Sequence, residues 1–507
     1  MSETFIHELP LKAVPHDLRV LDIRLDQARQ LYNACLGEAL RRLDPMRESR
    51  RWRLARKSRD KRERATLFRK LRQEHGFSDY DLQSFAIRTK NACAIGDHLD
   101  THVCQKLATR AFQAVEQHAY GVRGRPRFKG HHRLHSLEGK SNTAGIRWRD
   151  DRVCWSDLKL PAMFDRKDKH GVEAHALSSR TKYVRLVRRN INGKVRWFAQ
   201  LVQEGRPKLK AKNPIGKGIV GLDLGPSTIA AVSKEDAFLE AFCADLEPIR
   251  DGVKTIQRVL DRSRRAMNPG NFNANGTVKS GPKKWKASIR YARTRHELAE
   301  ANRALAETRN RLHGKLANRV LAMGKTVKLE KLSYKGLQKQ FGKSVAFRAP
   351  GMFLDKLTRK AASAGGSVLE FPARRHRLSQ ACHCGEAKKK PLSQRWHECP
   401  CGVGPVQRDL YSAFLAQFIE EETLDMRQVT VAWPGAQPLL ERAMARVSYQ
   451  AANGSYTPSS FGIRRRSGLP VKDGSTPIEA VEAVGEAVAL PESHGEIGGA
   501  AVRTHCL

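Results

Sequence analysis

A chain of 507 residues has room for two to four domains, and 40% hydrophobic residues are enough to give each a core. Its 93 Lys and Arg against 52 Asp and Glu leave a formal charge of +41, self-repelling without a polyanion, so nucleic acid is the expected partner and a merely basic soluble enzyme is disfavoured. No run of about 18 apolar residues occurs, which argues against a membrane span. Met1-Ser2-Glu3-Thr4 lacks the pattern of a signal peptide, and the cytoplasm, with the nucleoid when DNA is bound, is the expected location.

A strand-like start, Thr4 to Leu9, runs into Pro10 and Pro15, and a helix begins near Asp17, with Leu21, Leu25, Ala28, Tyr32 and Cys35 on one face. Residues 41–72 read as a basic helix whose Arg50, Arg51, Arg53, Arg56 and Lys57 have few compensating acids, the mark of a phosphate-facing surface rather than a merely solvated one. More helix follows from Asp79 to about Tyr120. Gly and Pro then break the pattern, and Arg125, Arg127 and Lys129 surround Phe128. That segment is either a clamp with Phe128 stacked on a base or a basic linker with Phe128 in a core.

From 143 to 205 short alternating runs predict strands, with Asn192-Gly193 as a hairpin turn, and together they suggest a small barrel with one positive face. Residues 216–420 read as mixed α/β: strands 218–224 and 229–232 across Gly225-Pro226-Ser227, a long helix from about Lys283 to Met323, strand 325–332, helix 351–364 and strand 366–371. Three strands, then helices alternating with two more, is the order of a ribonuclease-H-like fold. After about 420 the sequence loosens, with a helix around 437–450 and a Gly-, Ser- and Pro-rich tail from Ala451 read as disordered.

Asp223 ends the first apolar run of that α/β region, Glu330 ends the fourth strand, and Asp409 opens the last helix. Each alone is commonly structural. Together they can converge on one cleft and hold two Mg²⁺ about 4 Å apart, the arrangement that hydrolyses a phosphodiester. Arg408 is either a phosphate ligand or a surface ion pair. Cys382-His383-Cys384-Gly385 and Cys399-Pro400-Cys401-Gly402 describe two knuckles around one structural Zn²⁺. Both pairs are one residue shorter than Cys-x-x-Cys, a spacing that strains chelation by both sulfurs of a pair, so His383 or His397 is an alternative ligand. The other six cysteines are scattered, which fits a reducing compartment rather than a disulfide scaffold.

On these residues the chain resembles the TnpB family of RNA-guided nucleases and the related miniature type V CRISPR effectors. Gly221-Leu222-Asp223-Leu224-Gly225 resembles the first RuvC motif, Leu329-Glu330-Lys331-Leu332 the second, and Gln407-Arg408-Asp409 the third. Ser379 through Cys401 resembles the zinc ribbon, and Arg125-Pro126-Arg127-Phe128-Lys129 resembles a segment before the second barrel portion. Tyr411 departs from the Asn that many relatives carry two residues after the last Asp.

The resemblance implies an α/β and α+β multidomain protein. Residues 1–16 and 125–215 would form a β-barrel wedge domain, and 17–124 a helical recognition domain. Residues 216–381 and 402–420 would form the RuvC nuclease domain, with 382–401 a zinc ribbon and 421–507 a largely disordered extension. It further implies a guide RNA, double- and single-stranded target DNA, a short motif read beside the target, and Mg²⁺-dependent cleavage. Two alternatives stay open: an RNA-guided repressor that binds without cutting, and a DNA-only transposase of the same fold. Deletion after about residue 455 is expected to leave cleavage largely intact.

Overall fold

The computed structural model describes residues 3–463 except 392, 421, 422, 455 and 456. The N-terminal part opens with β1 (Thr4–Leu11) and α1 (Pro15–Glu48), followed by α2 (Arg50–Lys57), α3 (Lys61–Glu74), α4 (Asp79–Ala92) and α5 (Thr101–Ala119). The single basic helix expected over 41–72 is thus the end of α1 plus two short helices. The cause is local capping: Ser49 accepts the Trp52 amide and Asp60 the Arg62 amide, and each restarts the helix. Asp100 interrupts the next stretch in the same way, accepting from His102 and Val103 ahead of α5.

Seven strands follow or return to this part: β1, β2 (Ser136–Glu138), β3 (Arg147–Arg149), β4 (Arg152–Trp155), β5 (Leu158–Pro161), β6 (Thr181–Ile191) and β7 (Lys194–Glu204), with the short helix α6 (Val172–Ser178) before β6. The hairpin at Asn192-Gly193 closes on the pair Ile191 and Lys194. Backbone pairing divides the expected barrel into two sheets, β1-β7-β6-β2 and β3-β4-β5. β2 pairs with β6 over only three residues, with the Gly139 amide adding one more bond to the Val184 carbonyl, and a Cβ at Gly139 would press on the Ile146 carbonyl. One continuous apolar core, from Leu9 through Leu36, Val115 and Trp155 to Leu201, joins helices and sheets.

The second part contains β8 (Ile219–Leu224), β9 (Thr228–Val232), β10 (Ala237–Ala241), α7 (Glu247–Met267), α8 (Ile289–Met323), β11 (Thr326–Glu330), α9 (Tyr334–Arg348), α10 (Pro350–Ser363) and β12 (Ser367–Phe371). A short α11 (Ala373–His376), β13 (Trp396–His397), β14 (Val406–Gln407), α12 (Arg408–Ala416) and α13 (Met426–Ala452) complete it. The five long strands form one sheet in the order β10-β9-β8-β11-β12. β9 is antiparallel to both β10 and β8, and β11 and β12 run parallel to β8.

Strand alternation decides which side each residue serves. Val220, Leu222, Leu224, Val327 and Leu329 join the core under α8 and α10. The opposite face packs on α12 and α13.

The domain boundary read at 420 falls short. Val429, Ala436, Leu440, Ala443 and Val447 of α13 repeat at helical spacing and lie in the same core as α12, despite Pro434 and Pro438. Those prolines blurred the helical signal in the sequence. The tail expectation beyond 463 falls outside the described residues. Among the described residues no helix is long and apolar enough to cross a membrane.

Candidate functional site

Asp223 and Glu330 emerge on the α12 side of the sheet because each stands two residues beyond a residue that touches α12. Gly221 lies directly beneath that helix: a Cβ there would stand 1.8 Å from the Ala413 carbonyl oxygen. Opposite Gly221 in the ladder is Lys328. Its buried ammonium donates to the carbonyls of Gln417, at 3.0 Å, and Ile419, at 2.7 Å. These carbonyls lie just past the end of α12, the region that attracts a cation. Gly221 and Lys328 thus seat α12 on the two strands that carry Asp223 and Glu330.

At the other end of α12, the Gln407 side chain caps the helix by accepting the Leu410 amide at 2.8 Å, and Asp409 occupies the first turn. Asp223 feels the charge of both other carboxylates. Burial raises Asp223 well above the usual range, and the charges of Asp409 and Glu330 raise it further. Burial likewise raises Asp409 and Glu330, with Arg408 and Arg395 opposing the rise at Asp409 and the Leu378 amide opposing it at Glu330. Three desolvated carboxyls, two of which act on the third, form a site that gains from a cation.

Arg408 is neither exposed nor free. It is buried, its Nη1 donates to the carbonyls of Gln394 at 3.0 Å and Pro391 at 3.3 Å, and its Nε is 3.6 Å from Asp409. Arg408 therefore ties the 391–394 segment to the start of α12. The cation with looser constraints is Arg395, half-buried and under the influence of both Asp409 and Asp223. No local pattern in the sequence marks it. It reaches the site because β13 pairs with β14, placing Trp396 opposite Gln407.

The four cysteines come together. Their sulfurs all lie within 4.8 Å of one another, with Cys382–Cys401 at 3.6 Å and Cys384–Cys399 at 3.5 Å. A tetrahedral Zn²⁺ with bonds of about 2.3 Å sets sulfurs about 3.8 Å apart, so the thiols fit one such ion. The short Cys-x-Cys spacing is accommodated by two matching turns. In each, the first Cys amide donates to the carbonyl four residues on, and the Gly amide donates back to the first Cys carbonyl. Gly385 and Gly402 adopt φ of +95° and +92°, a region open to glycine.

Neither histidine is needed as a ligand. His397 stacks on Tyr411 with ring centroids 4.4 Å apart and meets Lys390, while His383 Nδ1 lies 3.0 Å from the Tyr411 hydroxyl. Tyr411 itself is buried, and its hydroxyl donates to the Cys382 sulfur at 3.6 Å and accepts from the His383 amide at 3.1 Å. The residue that departs from the family pattern thus ties α12 to a knuckle. Among the described residues the three carboxylates do not form a group as tight as the thiols.

The basic residues read as phosphate contacts lie far along the chain from this site. Arg50, Arg53, Arg56 and Lys57 are exposed on α2, while Arg51 is engaged by Glu74. Arg125 faces Asp44 at 3.4 Å, and Arg127 is exposed. Both backbone groups of Lys129 are held by the Asn33 side chain, at 2.8 and 2.9 Å, which fastens the segment to α1. Phe128 is 59% exposed beside Gly37, so it is not a core residue.

No family model matches the chain, and no curated protein does. Among solved structures it is similar to one described as the Cas12f1–sgRNA–target DNA complex, at 13% identity and a TM-score of 0.42, over 81% of this chain and 98% of that one. It is also similar to a CRISPR-Cas12f ternary complex, at 13% identity and a TM-score of 0.27, over 81% and 82% of the two chains. These likenesses are loose, and the functional reading rests on the site itself.

Proposed function

We propose that the chain is an RNA-guided DNA endonuclease of the TnpB and miniature type V kind, with a RuvC-like, ribonuclease-H-like site. The observation that supports the reading is that Asp223 and Glu330 end two adjacent parallel strands and Asp409 opens the helix packed on them, with the charges of Asp409 and Glu330 both acting on buried Asp223. The sheet order β10-β9-β8-β11-β12 supports the fold, and the RuvC and zinc-ribbon motifs support the guided activity.

Asp223, Glu330 and Asp409 would hold Mg²⁺, which when bound supplies activation of water and stabilisation of the leaving 3′ oxygen. The protein's own part is to present three buried carboxyls at fixed spacing, whose ionisation a bound cation would favour. Gly221 and Lys328 set that spacing from below and Arg408 from the side, and Arg395 offers a positive charge to the phosphate. The four thiolates would hold one structural Zn²⁺ that fixes the segment bearing Arg395. The charge of +41 would serve a guide RNA and its target DNA, in single- and double-stranded form, with base pairing supplying specificity.

The test is Asp223→Ala in protein purified with its native flanking locus. Target DNA cleavage should fall below detection, while the co-purifying RNA keeps its constant scaffold and variable end. Undiminished cutting would refute the assignment of Asp223. Absence of any specific RNA would move the reading to a DNA-only nuclease.

A further inference from the structure

The linker that follows β7 crosses the groove between α8 and α10. It leaves a cavity of about 430 Å³ with a floor that includes Ile215, Leu321 and Ala364. Five cations line it, Lys208 and Lys210 from the linker and Lys356, Arg359 and Lys360 from α10, and no Asp or Glu does. Their partners are neutral. Lys356 donates to the Asn310 carbonyl at 2.8 Å, and Lys360 donates to the Asn318 side chain at 2.7 Å.

Burial lowers both ammoniums, and like charges lower them further: Lys360 and Arg359 act on Lys356, and Lys210 acts on Lys360. Asp168 lies outside the cavity, where its carboxylate accepts from the amides of Val172 and Ala174 and is held low chiefly by such amides, with Lys208 adding to the effect. A lined space with positive charge on two sides and no counter-charge within it calls for an anion.

The arrangement narrows the class of anion. Lys356, Arg359 and Lys360 are spaced i, i+3, i+4, so they share one face of α10 and line one wall of the groove over about one turn. The linker lysines face them across it, and the floor between is apolar. We propose that this groove binds the phosphodiester backbone of a nucleic-acid strand, held between the linker lysines and the basic face of α10. The inference rests on the nucleic-acid-binding reading above and adds a specific site to it, between the linker and α10.

The test uses full-length protein in EDTA, so that cleavage plays no part, and a labelled single-stranded RNA over a series of salt concentrations. The combined variant Lys208→Gln, Lys210→Gln, Arg359→Gln removes three exposed cations. It leaves Lys356 and Lys360, which fasten α10 to α8. With about 0.7 of slope lost per phosphate contact on a single strand, the plot of log affinity against log salt should flatten by about 2. A control variant, Lys234→Gln, Arg427→Gln, Arg442→Gln, removes three exposed cations elsewhere and should leave the slope as in wild type.

An unchanged slope in the first variant, or an equal loss in the control, overturns the proposal. So does calorimetric binding of one inorganic phosphate per chain that the first variant abolishes without altering RNA binding, which would make the cavity a small-anion site. If the wild-type chain bound no RNA, the broader reading would fail first, an outcome distinct from a groove variant that behaves as wild type.

Discussion

Burying a titratable side chain has a cost that His313 shows. It is buried on α8, stacked on Phe242 and bonded through Nε2 to the Arg348 carbonyl at 2.9 Å. Burial lowers its pKa from 6.5 to about 4. The unfolded chain therefore takes up a proton near pH 6.5 that the folded chain refuses. The stabilisation is complete above pH 6.5 and is lost as pH falls toward 4. At about 1.4 kcal/mol per pKa unit, the loss is about 3 kcal/mol at most. Urea unfolding of wild type and His313→Gln between pH 7 and 4 checks this: the variant, though less stable at pH 7, should lose less stability on acidification. Equal losses would mean that His313 is protonated in the fold.

At the scale of elements, the candidate site depends on how closely α12 approaches the sheet. Gly221→Ala places a methyl group against the Ala413 carbonyl and should cost stability at the upper end of the ~1–3 kcal/mol typical of overpacking. Lys328→Met removes the donor to two carbonyls past the end of α12 and should cost about 1–3 kcal/mol. Denaturant midpoints measure both, and a neutral effect at either position would show that α12 can reseat without loss. The knuckles are the second element-scale device. Elemental analysis should find one zinc per chain in wild type and substantially less in Cys384→Ser, because three thiols leave a tetrahedral site incomplete. A full zinc content in that variant would bring His383 or His397 back as a ligand.

At the scale of the whole chain, the C-terminal limit of the fold needs revision. Phe461 is buried in the α12–α13 core, the Ser460 carbonyl accepts from the Gln407 side chain at 3.2 Å, and the Gly462 carbonyl accepts from Trp396 at 3.4 Å. A cut after 455 removes these contacts, and a cut after 463 keeps them. Protein ending at 455 should melt at lower temperature and cleave less than protein ending at 463. Matching behaviour would restore the earlier limit and the expectation that residues after 455 are dispensable.

The sequence by itself pointed to a polyanionic partner through its charge, marked four of the five sheet strands through their apolar runs, and singled out three carboxylates and four thiols through motifs whose residues are neighbours in the chain. Local patterns can carry such information because strand alternation, helix capping and knuckle turns act within a few residues. Only the tertiary structure decided that Arg408 faces inward to carbonyls at 391 and 394, that Arg395 lies within electrostatic reach of Asp223 and Asp409, and that Lys328 and Gly221 seat α12. It also decided that α13 belongs to the core. These relations join residues tens to more than a hundred positions apart, and no local propensity encodes them. They follow from which face of each strand and helix the packing turns toward the site.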